Sequence, residues 1–193
     1  MNQKTIVGID YSLTSPAICI SNDRFDLSFT SWHFLSNRKK CQGNFIHNIR
    51  GTAHQTYTDP MQRFKQISDW VLHILAELPQ PLRIYIEGYA YGAKGQGLFQ
   101  IAENSGILKY RLLHDLKYSY NIIVPSVIKK GATGKGNADK DKMYDSFNKE
   151  TNIDLKQIFD TDKTGNPISD IVDAYYVAKV GYFQEQLKQY DGL

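Results

Sequence analysis

Cysteine is nearly absent from this chain: Cys19 and Cys41 are the only two in 193 residues. Two thiols at unrelated positions build no disulfide framework, and they point to a reducing compartment. Cys41, His47 and His54 are too irregularly spaced for a zinc site, and Cys19, inside an apolar run, reads as a small buried hydrophobe. Long apolar runs are missing as well, with none near the roughly 20 residues that span a bilayer. The opening MNQKTIVGID holds neither an apolar signal core nor an Arg/Ser-rich transit composition. A cytoplasmic protein with no membrane partner is therefore expected. Net charge is only +3, so charge as a whole says little about an anionic partner, and its distribution matters more. There is no internal repeat, low-complexity tract or linker, so residues 1–193 are expected to form one domain.

Hydrophobic patterning gives the order of elements. Residues 4–10, 15–21 and 26–35 read as three strands joined by short turns, an antiparallel meander. A polar stretch follows at about 36–58, too long for an ordinary connector. Between Arg38 and Lys65 it and its flank hold six Lys/Arg and one acid, Asp59. Asp59-Pro60 opens a helix that runs to about Leu78. Leu82–Glu87 is a flush apolar strand of the parallel, buried kind. A Gly/Tyr-rich loop, GYAYGAKGQG, leads to a helix over about 98–118 and a fifth strand at 121–124. Residues 125–137 mix lysines and glycines, and helices at about 138–150 and 168–190 close the chain. This order predicts an α/β fold: a mixed five-stranded sheet, its first three strands antiparallel, flanked by helices.

Against this frame four acids are oddly placed. Asp10 ends the first strand after Ile6-Val7-Gly8-Ile9, where an acid is costly unless a metal, hydrogen bonds or a cation balance it. Asp10 also suits a plain turn, capping amides with Ser12 and Thr14. Glu87 ends the strand 82–87 in the same way, and working sites of open α/β sheets lie at strand carboxyl ends. Asp170 and Asp173, at i and i+3 on the last helix, share one face and are bordered by Ile171, Val172, Ala174 and Val177. Asp170 also fits a helix-start role, beside a capping Ser169. Four carboxylates from two strand ends and one helix make a hard oxygen site for Mg²⁺ or Mn²⁺. Two such ions about 4 Å apart suit phosphodiester hydrolysis.

The basic residues are clustered too. Lys129, Lys130, Lys135 and Lys140 have only Asp139 among them, and Gly131, Gly134 and Gly136 would let backbone approach a phosphate. A solvated lysine-rich loop has the same composition. Tyr89, Tyr91 and Lys94 combine stacking surface with charge, and Arg38, Lys39 and Lys40 suit phosphates of flanking duplex. The helix carrying Leu98, Ile101, Ile107, Leu108, Leu112 and Leu116 is more apolar than one face requires, as a dimer contact would be.

Four blocks resemble the RuvC family of Holliday-junction resolvases, in the RNase H-like superfamily: GIDYSLTSPAI, IYIEGYAYGAKGQGLFQIAENSGILKYRLL, VPSVIKKGATGKGNADKDKM and SDIVDAYYVA. Their order and spacing agree with the family over most of the chain apart from about 36–58. The resemblance implies an RNase H-like fold, paired symmetric nicking of four-way junctions, and a homodimer with one site per subunit. It places the family's metal-binding carboxylates on Asp10, Glu87, Asp170 and Asp173, and its basic residues on Lys129 and Lys140, one of which would help bind the scissile phosphate. The chain departs from the family at Tyr11-Ser12, where Pro-Gly is common, and at Gly88-Tyr89-Ala90-Tyr91, where Tyr89 or Tyr91 would take the place of an aromatic wedge. The basic stretch at 36–58 is an insertion. These departures suit a divergent, phage-type member. Rival readings are another RNase H-like nuclease acting on flaps, hybrids or other branches, an actin-like ATPase or sugar kinase, and a non-cleaving junction binder. The kinase needs a second domain, for which the length leaves little room.

Overall fold

All six residues of the first strand, β1 (Thr5–Asp10), are buried, because β1 lies mid-sheet with helices on both faces. The computed structural model describes residues 4–89 and 96–191. Its other strands are β2 (Ala17–Asn22), β3 (Ser31–Ser36), β4 (Gly43–Phe45), β5 (Ile49–Ala53), β6 (Leu82–Glu87) and β7 (Tyr120–Ile123). They form one sheet in the order β4-β5-β3-β2-β1-β6-β7. β2 is antiparallel to β1 and β3, and β4 to β5, whereas β1, β3, β5, β6 and β7 run the same way. Five strands therefore end at one edge of the sheet.

The helices are α1 (Pro60–Ala76), α2 (Gln96–His114), α3 (Pro125–Thr133), α4 (Lys140–Thr151), α5 (Leu155–Ile158) and α6 (Ile168–Asp191). Asp59 starts α1 as expected, accepting from Gln62 N at 3.0 Å with Pro60 in the first helical position. α1 and α2 cover one face of the sheet through Ile67, Val71, Leu108 and Leu112. α6, with α3 and α4 outside it, covers the other through Ile171, Ala174, Val177 and Ala178. No helix among the described residues is long and apolar enough to cross a membrane.

Three expectations are corrected. The sheet has seven strands, not five: the stretch at 36–58 adds β4 and β5 beyond β3, with Trp32 N donating to Asn48 O at 3.1 Å and Ile49 in register with Trp32. Ile49 is buried, and Gly51 lies so close to Cys41 that a Cβ would stand 1.8 Å from its carbonyl oxygen. The third strand begins at Ser31 rather than near 26, since residues 23–30 are spent on turns held by Asn22 and Asp26 side chains. Residues 125–133 form a helix, not a loop. Gly134, at φ +78°, ends that helix in the left-handed conformation. Gly131 serves packing, because a Cβ there would come within 2.5 Å of Val180 on α6.

Alternation along the strands aims the acids. Ile6 belongs to the core under α6, while Val7 and Ile9 belong to the core under α1 and α2. With a period of two, Gly8 and Asp10 share the α6 side with Ile6. Likewise Tyr85 faces α6 while Ile84 and Ile86 face α1 and α2, which puts Glu87 on the α6 side. Ile9 pairs with Ile86, so Asp10 and Glu87 are next in line on adjacent parallel strands.

Candidate metal centre

Asp10, Glu87 and Asp173 each bring a carboxylate oxygen within 4.8 Å of the others. They meet at the base of a cleft of about 520 Å³ at the carboxyl edge of the sheet. Asp173 arrives from α6, whose second turn lies over the end of β1. Asp170, one turn earlier, is buried behind the trio. It accepts a hydrogen bond from Ser15 Oγ and shares another with Asp10. Ser15 was not singled out by the sequence, although Ser12-x-x-Ser15 in the turn after Asp10 was visible there.

The electrostatics follow from burial and from like charges at close range. Burial first, then the neighbouring acids, raise the Asp10 carboxyl well above its ordinary range. The same causes push Glu87 up to about 8 and Asp173 to about 7. Asp170 is also raised by burial, against the opposing effect of its bond from Ser15. The charges of Lys129 and Lys140 pull Asp173 down without cancelling the burial. A dense set of oxygen donors, with no His or Cys in the group, whose negative charge the protein under-compensates fits a hard divalent cation.

A pH-dependent stability follows. At low pH these acids are neutral in the folded and unfolded chains alike. As pH rises past roughly 4 the unfolded chain ionises first, so each raised group removes stability until pH passes its folded value. For Asp173 and Glu87 those values are about 7 and about 8. Metal-free protein is thus expected to melt at falling temperature between about pH 5 and pH 8. Mg²⁺ at about 100 times its Kd adds about 2.7 kcal/mol, or roughly 5–10 °C for a chain of this size, at pH 8 and much less at pH 5. Thermal scans in EDTA and in Mg²⁺ measure this, and equal shifts at both pH values would contradict it.

Lys140 opens α4, and its Nζ donates to Ser169 Oγ at 3.2 Å, which in turn donates to Asn166 Oδ1 at 3.0 Å. Ser169, expected as the cap of the last helix, is instead the second residue of α6, and its hydroxyl holds the lysine beside the acids. Lys129, half-buried on α3, lines the same cleft. Tyr89 lines it too, 42% exposed, with the Lys109 ammonium 4.8 Å from its ring centre. Lys109 was not anticipated. Tyr91 and Lys94 lie outside the described residues. Lys130 lines a separate groove on the other flank of α3, with Glu150 and Lys179, and Lys135 is exposed beyond the end of that helix. Arg38, Lys39 and Lys40 are exposed just after β3, at the edge of the sheet that carries the acids but two strands from β1, roughly 10 Å away. Lys40 Nζ is bonded to the Asp160 carbonyl at 2.8 Å.

An α/β sheet with acids gathered at its carboxyl edge defines a class of site rather than a protein. No family model and no curated protein matches the sequence. Solved structures do match. Thermus thermophilus RuvC superposes with a TM-score of 0.57 at 14% identity, covering 94% of this chain and 96% of that one. T. thermophilus RuvC in complex with a Holliday junction substrate gives 0.61 at 16% identity, covering 95% and 96%. The chain has a divergent RuvC-like fold.

Proposed function

We propose that residues 1–193 form a single nuclease domain, a metal-dependent, structure-selective DNA endonuclease that resolves four-way junctions by paired symmetric nicks. The observation that carries this reading is the convergence of Asp10, Glu87 and Asp173 at the floor of a cleft walled by Lys129 and Lys140, within a fold that also binds a Holliday junction in T. thermophilus RuvC. Asp10, Glu87, Asp170 and Asp173 would hold Mg²⁺, with Mn²⁺ able to substitute and two ions per site. A bound divalent cation supplies activation of water and neutralisation of the phosphodiester's charge.

The chain's own residues do the rest. Lys140, held by Ser169, places a positive charge over the edge of the acid cluster, where a scissile phosphate would sit. Lys129 does the same from α3. Tyr89 offers a ring for an unpaired base at the branch point. The exposed Lys130, Lys135, Arg38, Lys39 and Lys40 extend positive charge outward, toward phosphates of the duplex arms. Among the apolar residues that the sequence offers for a dimer contact, Leu108 and Leu112 are buried in the chain's own core. Phe99, Ile101, Tyr110 and Leu113, exposed at 69%, 38%, 61% and 46%, are the large apolar α2 residues open to a second copy.

The test is a cleavage panel with mapped nicks: a mobile four-way junction, a flap, an RNA–DNA hybrid and linear duplex, each with Mg²⁺, Mn²⁺ or EDTA. Symmetric nicks confined to the four-way junction are expected. Preference for the flap or hybrid would make this a different RNase H-like nuclease, and binding without cutting would make it a junction binder. In the same assay Lys140→Ala is expected to lower the cleavage rate about 100-fold, the lower end of losses for one donor group at a transition state, while junction affinity changes less than about threefold, as for one phosphate contact among many. An unchanged rate would remove Lys140 from the centre.

A further inference from the structure

The loop between β1 and β2 forms one wall of the cleft with Tyr11, Ser12, Leu13 and Thr14, and it carries Ser15, the donor to Asp170. Two of its carbonyl oxygens are gripped from outside. Thr14 O accepts from His54 Nε2 at 2.9 Å, and Leu13 O accepts from Arg63 Nη2 at 2.7 Å. His54 follows directly on β5, and Arg63 lies in the first turn of α1.

Neither donor swings freely, because the segment between them is fastened to α1. Gln66 Nε2 donates to Thr56 O at 2.9 Å, Thr58 N donates to Gln62 Oε1 at 2.7 Å, and the Arg63 guanidinium lies 5.1 Å from the centre of the Tyr57 ring. A carbonyl oxygen only accepts, so His54 carries its proton on Nε2. Burial, helped by the charge of Arg63 and opposed by the bond to Thr14, lowers the tendency of the imidazole to take a second proton.

We propose that the β4–β5 extension braces the active-site loop: His54, delivered by β5, and Arg63 are positioning residues that fix Leu13 and Thr14 and thereby keep Ser15 on Asp170. The extension that reads as a DNA arm in sequence thus also has an inward task. Its effect on rate rests on the nuclease reading, whereas its effect on the loop does not.

Two measurements on the full chain separate these. In hydrogen exchange, His54→Ala and Arg63→Met, which keeps the arginine's apolar stem, are expected to speed exchange of the amides of residues 11–15 about fivefold, as loss of one hydrogen bond implies, with α6 unchanged. In junction cleavage, His54→Ala is expected to lower kcat about five- to tenfold at constant KM. His54→Gln, whose amide still donates to Thr14 O, restores kcat. Ser15→Ala combined with His54→Ala is expected to cost no more than the worse single variant, as for residues acting through one another. Unchanged exchange in both variants overturns the brace, as does a raised KM with kcat intact, which would make His54 a DNA contact. If the parent protein cuts no branched DNA the nuclease reading fails, and the exchange result alone decides the brace.

Discussion

Asp173→Asn is expected to lower junction cleavage on the order of 10³-fold, about 4 kcal/mol of barrier, while leaving junction binding within about threefold. The amide keeps the size and shape of the carboxylate but removes its charge and one anionic oxygen from a group of three within 4.8 Å. Asp10→Asn is expected to do the same. The electrostatics add a second readout that runs in the opposite direction. Burial and the neighbouring Asp170 hold the Asp173 carboxyl at about 7, so near pH 8 its ionisation works against the metal-free fold. Replacing it with a neutral amide is therefore expected to raise the metal-free melting temperature at pH 8 while shrinking the gain from Mg²⁺. Stability and activity moving apart in one variant is the mark of a site built to bind a cation. Full cleavage by Asp173→Asn in Mg²⁺ would remove it from the centre. A lowered metal-free melting temperature would mean its carboxylate serves packing instead.

Much of this arrangement was legible in the chain because it rests on short-range rules. An acid at the end of an apolar strand is conspicuous wherever the strand goes, and Asp10 and Glu87 both stood out for that reason. Two acids at i and i+3 share a helical face whatever the helix packs on. What was not legible depends on distant partners. β5 has one large buried side chain, Ile49, among Arg50, Gly51, Thr52 and Ala53. Its strand character comes from pairing with β3 rather than from its own pattern, so a polar insertion was all that could be read. Residues 125–133 carry Gly131, a poor helix former, yet the absence of a side chain there is what lets α3 lie against Val180. Nor does spacing distinguish Asp170 from Asp173. Only the turn carrying Ser15, brought back over α6, sets Asp170 behind the trio. The lysines divide for the same reason: Lys129 and Lys130 are adjacent in sequence but lie on opposite flanks of one helix.

Gly8→Ala is expected to be the most destabilising of these substitutions, by at least about 3 kcal/mol, or a fall of roughly 6–12 °C in Tm. The residue sits mid-strand, where glycine ordinarily weakens a sheet, two positions before Asp10 and on the same face. A Cβ there would lie 2.2 Å from Ala174 O and 2.3 Å from Ala178 N. Both are backbone atoms of α6, so no side-chain rotation relieves the overlap and the helix must lift. That helix carries Asp170 and Asp173, and the contact begins one residue beyond Asp173. The missing side chain is thus what brings two carboxylates of a helix down onto a third at the end of a strand. Two losses should accompany the lower Tm: the Mg²⁺-dependent stabilisation at pH 8, and cleavage measured below the melting range. Gly165→Ala is the matched control. It makes the same chemical change where a Cβ would meet nothing within 4 Å, and is expected to shift stability by less than about 1 kcal/mol. If Gly8→Ala melted within a degree or two of the parent, α6 would be able to ride up β1 at no cost. The close strand–helix approach would then no longer explain why these acids meet.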